Sequence, residues 1–239
     1  MSGIKLFELE ATTLTEKSSC KNVVVKMAKA ISKKTNTPTL TWKFKAPNVH
    51  DFVWAADPNY IHNTKTERNG LVLHSFYKID TLALTKQYES MPPRVKQTLT
   101  ANAFIAKSKK EWDSVLVLAS KALPFIDKHY GEYPYKQYSF IQGGDGGMEY
   151  AMATLIKGPS LGTVFHEWMH NWYQQVLGSN ESLFAWMDEG FATFAESKVS
   201  RWYDANAAAQ SPFISEKAKA QVLASVEKAK LDLPLTQAG

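Results

Sequence analysis

Hydrophobic positions change period along this chain. In residues 39–45 they alternate, with Leu40, Trp42 and Phe44 on one face and Lys43 and Lys45 on the other. That period of two is the mark of a half-buried strand. Pro47-Asn48 interrupts it, and residues 49–56 follow as a more apolar strand that Asp57-Pro58 ends. Residues 71–79 read as another strand, and residues 4–11 as a candidate one. Residues 22–32, with Val23, Val24, Val25, Met27, Ala28 and Ile31, fit strand and helix equally well. Met91-Pro92-Pro93 is a break.

Further on the period becomes helical. Residues 109–130 turn Trp112, Val115, Ala119, Ala122 and Ile126 inward and meet a stop at Gly131. Pro124 inside this segment lacks an N–H and is expected to kink or divide the helix. Residues 138–142 make a short central strand, and residues 148–156 an edge strand after a run of glycines. Ser160, after Pro159, caps a helix that Gly178 stops. Between them Leu161, Val164, Phe165, Trp168, Met169, Trp172, Tyr173, Val176 and Leu177 are apolar nearly all round, so this helix is buried. A second helix opens near Trp186, with Phe191, Phe194, Ala195, Val199 and Trp202 as its stripe. Ser211-Pro212 begins a last one, with Ile214, Ala218, Val222 and Val226 inward and an end near Pro234. Strands first and helices after is an α+β order.

Composition narrows the function classes. With 239 residues and 44% hydrophobic content the chain can bury a sizeable core. The net charge of +5 is modest, and Lys26, Lys29, Lys33, Lys34, Lys43 and Lys45 read as a solvated face rather than a nucleic-acid surface. Cys20 is the single cysteine, so no internal disulfide forms and the compartment stays open. No apolar run has membrane-spanning length, and the start Met1-Ser2-Gly3-Ile4-Lys5 is not a signal peptide. Oligomeric state is not legible.

The buried helix carries the chemistry. His166-Glu167-Trp168-Met169-His170 reads H-E-x-x-H. Residues four apart lie about one helical turn apart, so the two imidazoles project from one face and can share a metal ion. Glu167 sits beside that ion, where a base is needed to take a proton from water. Buried polar groups require partners, and a metal supplies them. The chain therefore reads first as a zinc hydrolase. Further along, in Trp186-Met187-Asp188-Glu189-Gly190-Phe191-Ala192, eighteen residues separate Glu189 from His170, room enough for a turn at Gly178-Ser179-Asn180 and a second helix alongside. Glu196, two turns after Glu189, can accept the second ring N–H of a metal-bound histidine, with Asp188 a weaker candidate for the same task. His50, His62, His74 and His129 have no metal spacing.

H-E-x-x-H followed at this distance by a Glu inside D-E-G-F-A resembles the gluzincin zinc aminopeptidases, the family of alanyl aminopeptidase N and the leukotriene hydrolase. The resemblance implies a thermolysin-like catalytic domain: a mixed sheet with an antiparallel edge strand, followed by helices carrying the site. It also implies Glu189 as third ligand of one Zn²⁺ per chain. Gln142-Gly143-Gly144-Asp145-Gly146-Gly147-Met148-Glu149-Tyr150 looks like the G-x-M-E-N motif of that family, a strand along the substrate cleft. By that likeness Glu149 binds the free α-ammonium of a peptide, while Gly146, Gly147 and Met148 offer main chain for β-augmentation. The chain departs from the pattern at Tyr150, where the family has Asn, and at Asn171, where it often has Gln.

The expectation is hydrolysis of N-terminal residues from peptides, with Glu167 as general base. The alternatives are an endopeptidase on the same scaffold and a non-catalytic zinc-binding fragment or interaction module. The family pattern divides the chain into a remnant of a preceding β domain or linker at 1–39, the catalytic domain at 40–205 and the helical start of a further region at 206–239. The same pattern places an oxyanion-binding Tyr beyond residue 239.

Overall fold

The computed structural model describes residues 7–9, 42–44, 49, 51–67, 69–144, 146–204 and 216–229. Strands β1 (Phe7–Leu9) and β2 (Trp42–Phe44) pair in parallel as a two-stranded sheet. Both fall within segments where a strand was expected. The main sheet has five strands: β3 (Ile61–Thr66), β4 (Val72–Tyr77), β5 (Gln137–Gln142), β6 (Gly147–Tyr150) and β7 (Ala153–Ile156), in the order β3-β4-β5-β7-β6. The inner pairs β4–β5 and β5–β7 are parallel, and both edge pairs are antiparallel. A strand inside a parallel sheet is covered on both faces. Accordingly Tyr138, Ser139, Phe140 and Ile141 of β5 are all buried.

Helices α1 (Thr81–Glu89) and α2 (Pro93–Lys96) lead to the 30-residue α3 (Ala101–Tyr130). Thr100 caps α3 by accepting the Ala103 N–H at 3.2 Å. Pro124 does not divide it. A mid-helix proline costs about 3 kcal/mol or more, but Ala119, Ala122, Leu123 and Ile126 on either side of it are buried in the core and keep the helix running. Helix α1 has no buried residue and no apolar stripe, which is why the pattern did not reveal it. Trp112, Val115 and Leu123 of α3 share one core with Leu71, Leu73 and Tyr77 beside and on β4, and with Phe165 and Trp168 of the helix that follows β7.

Four expectations need correction. Residues 51–57 form no strand; the partner of β4 is β3, whose side chains are mostly exposed and so give no period-two pattern. Val49 and Phe52 instead pack on the core from an irregular segment. The edge strand expected over residues 148–156 is a hairpin of β6 and β7, turning at Ala151-Met152, with Met152 at φ 63°. The helix after Ser160 is α-helical only over α4 (Leu161–His170) and continues as a π-helical segment, Asn171–Val176. The second helix likewise begins as a π-helical segment, Trp186–Gly190, before α5 (Phe191–Tyr203).

The stripe of α5 is also rotated. Ala192, Ala195 and Val199 are buried, while Phe191, Phe194 and Trp202 are exposed. The small side chains let α5 lie close to α4, and the displaced aromatics stack outside, Phe191 on Tyr173 and Trp202 on Phe125. Helix α6 (Glu216–Lys228) lies where the last helix was expected, but Val222, expected to face inward, is exposed. Ser211, Pro212, Ile214, Pro234 and residues 22–32 lie outside the described residues. No helix among the described residues is long and apolar enough to cross a membrane.

Candidate metal centre

Helix α4 is fixed at its start by Ser160, whose hydroxyl accepts the Thr163 N–H at 3.2 Å. Its buried faces carry Val164, Phe165, Trp168 and Met169 into the core, which turns His166 and His170 toward the π-helical segment Trp186–Gly190. That segment brings two consecutive acids to the pair. Asp188 Oδ1 lies 2.5 Å from His170 Nδ1, and both residues are buried. Glu189 Oε2 lies 3.1 Å from His166 Nε2 and 3.8 Å from His170 Nε2. The two Nε2 atoms are 3.1 Å apart.

These distances test whether a zinc ion fits. Donors about 2.05 Å from a tetrahedral ion stand roughly 3.3 Å from one another. The three separations of 3.1, 3.1 and 3.8 Å bracket that value. The donor chemistry agrees. Asp188 accepts a hydrogen bond from the Nδ1–H of His170, which leaves the Nε2 lone pair free for an ion shared with the other two ligand atoms. His166, His170 and Glu189 therefore fit the ion that the motif implies.

A second cluster overlaps the first. Glu149, Glu167 and His170 each bring one ligand-type atom within 4.8 Å of the others. Glu167 is 6% exposed, and its Oε2 has no hydrogen-bond partner. Burial pushes its carboxyl up to about 7, against a smaller opposing pull from His170. Half-buried Glu149 is also raised, chiefly by burial. Burial disfavours the His170 cation, but the Asp188 bond and the surrounding carboxylates outweigh it and raise the ring. Four carboxylates thus face two histidines, an arrangement that favours binding positive charge.

Gly147 sets the place of Glu167. A Cβ there would stand 2.0 Å from Oε1 and 2.6 Å from Cδ, so the carboxylate occupies space that only glycine leaves. Gly147, Met148 and Glu149 lie on β6, whose second edge has no strand beside it among the described residues. Beyond Gly146 opens a cavity of about 1150 Å³ lined in part by Leu84, Phe104, Trp112, Lys157 and Leu161.

Glu196 is not brought to a histidine ring by any hydrogen bond; its Oε1 accepts from Ser200 Oγ at 2.7 Å. The carboxylate found on His170 is Asp188. The π-helical turn presents residues 188 and 189 together, whereas an α-helical reading put residues seven apart on one face. The sequence marked Asn171 only as a departure from the family pattern and gave no role to Tyr133; their side chains meet at 3.2 Å. His62 and His74 bond each other at 3.0 Å, and His129 Nδ1 lies 2.8 Å from the Phe125 carbonyl; none joins a metal-type cluster among the described residues.

No protein-family model matches the chain, and no curated protein matches it. Among solved structures it is similar to an M1 zinc metallopeptidase from Deinococcus radiodurans, at 17% identity with a TM-score of 0.42. A mutant of that enzyme matches at 16% identity and a TM-score of 0.43, and the same mutant with a Tyr-Ser-Ala substrate at 16% and 0.41. Each match covers 74% of this chain and 35% of the other, so the chain spans about a third of their length. A likeness at this level decides neither reaction nor substrate.

Proposed function

We propose that this chain is a zinc-dependent peptidase that removes residues from the N-terminus of peptides, with His166, His170 and Glu189 holding one zinc ion. The observation that carries the reading is the spacing of His166 Nε2, His170 Nε2 and Glu189 Oε2, with the buried Glu167 carboxylate alongside. When bound, the ion supplies a Lewis acid for the scissile carbonyl and lowers the pKa of a water to roughly 7.

Glu167 is the base for that water. Its Oε2 has no protein partner and is free to take the proton. A carboxyl held near neutrality can also return that proton to the leaving amine. Asp188 keeps the His170 ring in the tautomer that ligation needs. Glu149 receives the substrate α-ammonium. Burial has raised its carboxyl, and a cation in contact restores its charged form. The free edge of β6 accepts the substrate main chain as an added strand. An internal peptide would give Glu149 no cation, which favours the exopeptidase reading over the endopeptidase one.

The test pairs metal analysis with one substrate couple, an aminoacyl anilide and its N-acetylated form. The expected result is one zinc per chain, hydrolysis that stops on chelation and returns with zinc, and a strong preference for the free amine. Protein purified without chelator that holds no zinc would refute the metal assignment. Equal cleavage of the two substrates would refute the exopeptidase assignment.

A further inference from the structure

The turn joining β6 to β7 holds the one non-glycine residue with positive φ among the described residues, Met152 at 63°. That backbone is disfavoured for any residue with a Cβ, and Met152 is 2% exposed, so no solvent relieves it. The turn is held from behind by Asn171, the residue directly after the metal-type ligand His170. Asn171 is fully buried. Its Oδ1 accepts the Met152 N–H at 3.1 Å and the Tyr133 hydroxyl at 3.2 Å, and its Nδ2 donates to the Tyr150 carbonyl at 3.3 Å. One side-chain amide therefore grips both ends of a two-residue turn and ties them to the helix that carries both histidines. On the other side of the turn, the Ala151 N–H donates to Asp51 Oδ1 at 3.3 Å.

The consequence lies one residue away. Glu149 immediately precedes Tyr150, on a strand that among the described residues has only β7 beside it. In an amino acid the distance from α-ammonium to carbonyl is fixed by covalent bonds. A site that reads the ammonium with Glu149 while Glu167 works at the carbonyl needs those two carboxylates at one constant separation. Glu167 is fixed by α4, Glu149 by β6, and Asn171 is the side chain that bonds the end of one to the turn of the other.

We propose that Asn171 is a positioning residue: by clamping the β6–β7 turn to the histidine-bearing helix it sets where Glu149 stands, and so governs selection of substrates with a free N-terminus. The proposal rests on the aminopeptidase reading above. Asn171 belongs to neither metal-type cluster and bonds Tyr133, Tyr150 and Met152, so its loss is read in selectivity and not in metal content. Losing the amide leaves the Met152 N–H and the Tyr150 carbonyl without these partners, and the disfavoured turn relaxes.

The experiment compares the unmutated chain with Asn171→Ala, Asn171→Asp and a comparator, Leu123→Ala, which loses buried packing in α3 and makes none of the hydrogen bonds that hold the turn. Each is assayed for zinc per chain, melting temperature, and kcat and KM on the free and acetylated anilide. Asn171→Ala is expected to keep one zinc per chain, to raise KM for the free-amine substrate tenfold or more with a smaller change in kcat, and to lose most of the preference over the acetylated form. Asn171→Asp keeps the acceptor oxygens but not the bond to Tyr150, and should fall between. Leu123→Ala should lose melting temperature and keep the preference. If Asn171→Ala loses melting temperature as Leu123→Ala does yet retains the unmutated preference, Asn171 is only structural and the proposal is overturned. Should Asn171→Ala fail to fold, Asn171→Asp and Tyr133→Phe decide by the same readouts. An unmutated chain with no preference would sink the aminopeptidase reading itself, which is a different result from a preference that survives loss of Asn171.

Discussion

In the metal-free protein, Glu167→Gln is expected to stabilise the fold more and more as pH rises from 4 to 8. The carboxyl ordinarily titrates near 4.5 and is held at about 7 here, because burial disfavours its charged form. Below the lower value it is protonated in the folded and unfolded chain alike, and contributes no pH dependence. Between the two values the unfolded chain has released the proton and the folded chain still holds it, so stability falls as pH rises. Above the upper value the loss is complete. A difference of one between two pKa values is worth about 1.36 kcal/mol, so 4.5 against about 7 amounts to roughly 3 kcal/mol. Glutamine does not titrate and escapes the loss. The assay is urea unfolding of chelator-stripped protein at several pH values, read as the difference between variant and unmutated chain so that other groups cancel. That difference should grow by about 3 kcal/mol across the window. A difference that stays flat or shrinks with pH would refute the burial argument. Zinc should abolish the ramp, because a cation beside Glu167 stabilises its charged form.

Other outcomes follow from the same geometry. Glu167→Gln with zinc bound should keep the metal and lose hydrolysis; loss of zinc as well would mean that base and ligand are misassigned. Asp188→Asn should weaken zinc about 10–100-fold, measured by competition with a chromophoric chelator, because it removes the acceptor on the His170 ring. Glu149→Ala should cost about 2–4 kcal/mol in kcat/KM for free-amine substrates and little for acetylated ones; equal losses on both would remove its ammonium role. Gly147→Val puts a branched Cβ where the Glu167 carboxylate lies 2.0 Å away. Displacing that group by about 1 Å should lower kcat on the order of 10²-fold at unchanged zinc content, and an unchanged kcat would show that the close approach is not needed.

The amino-acid sequence determined whatever depends on a local period. His166 and His170 share a face because they are four apart on a helix, and that helix is buried because it is apolar nearly all round. The central place of β5 was legible in its short apolar run, and the inward face of α3 in its spacing. Tertiary structure decided what depends on partners far along the chain. β3 is a strand because it pairs antiparallel with β4, although all its residues but Ile61 are polar. Residues 148–156 fold back on themselves because Asn171, from another element, bonds both ends of the turn. The π-helical segment Trp186–Gly190 brings Asp188 to His170 and leaves Glu196 on Ser200, an exchange invisible to a reading that assumes α-helical rise throughout. The depth that holds the Glu167 carboxyl near neutrality is likewise a property of the packed site. Sequence spacing sets the direction in which a side chain points, whereas its solvation and its hydrogen-bond partner are set by whatever the rest of the fold places there.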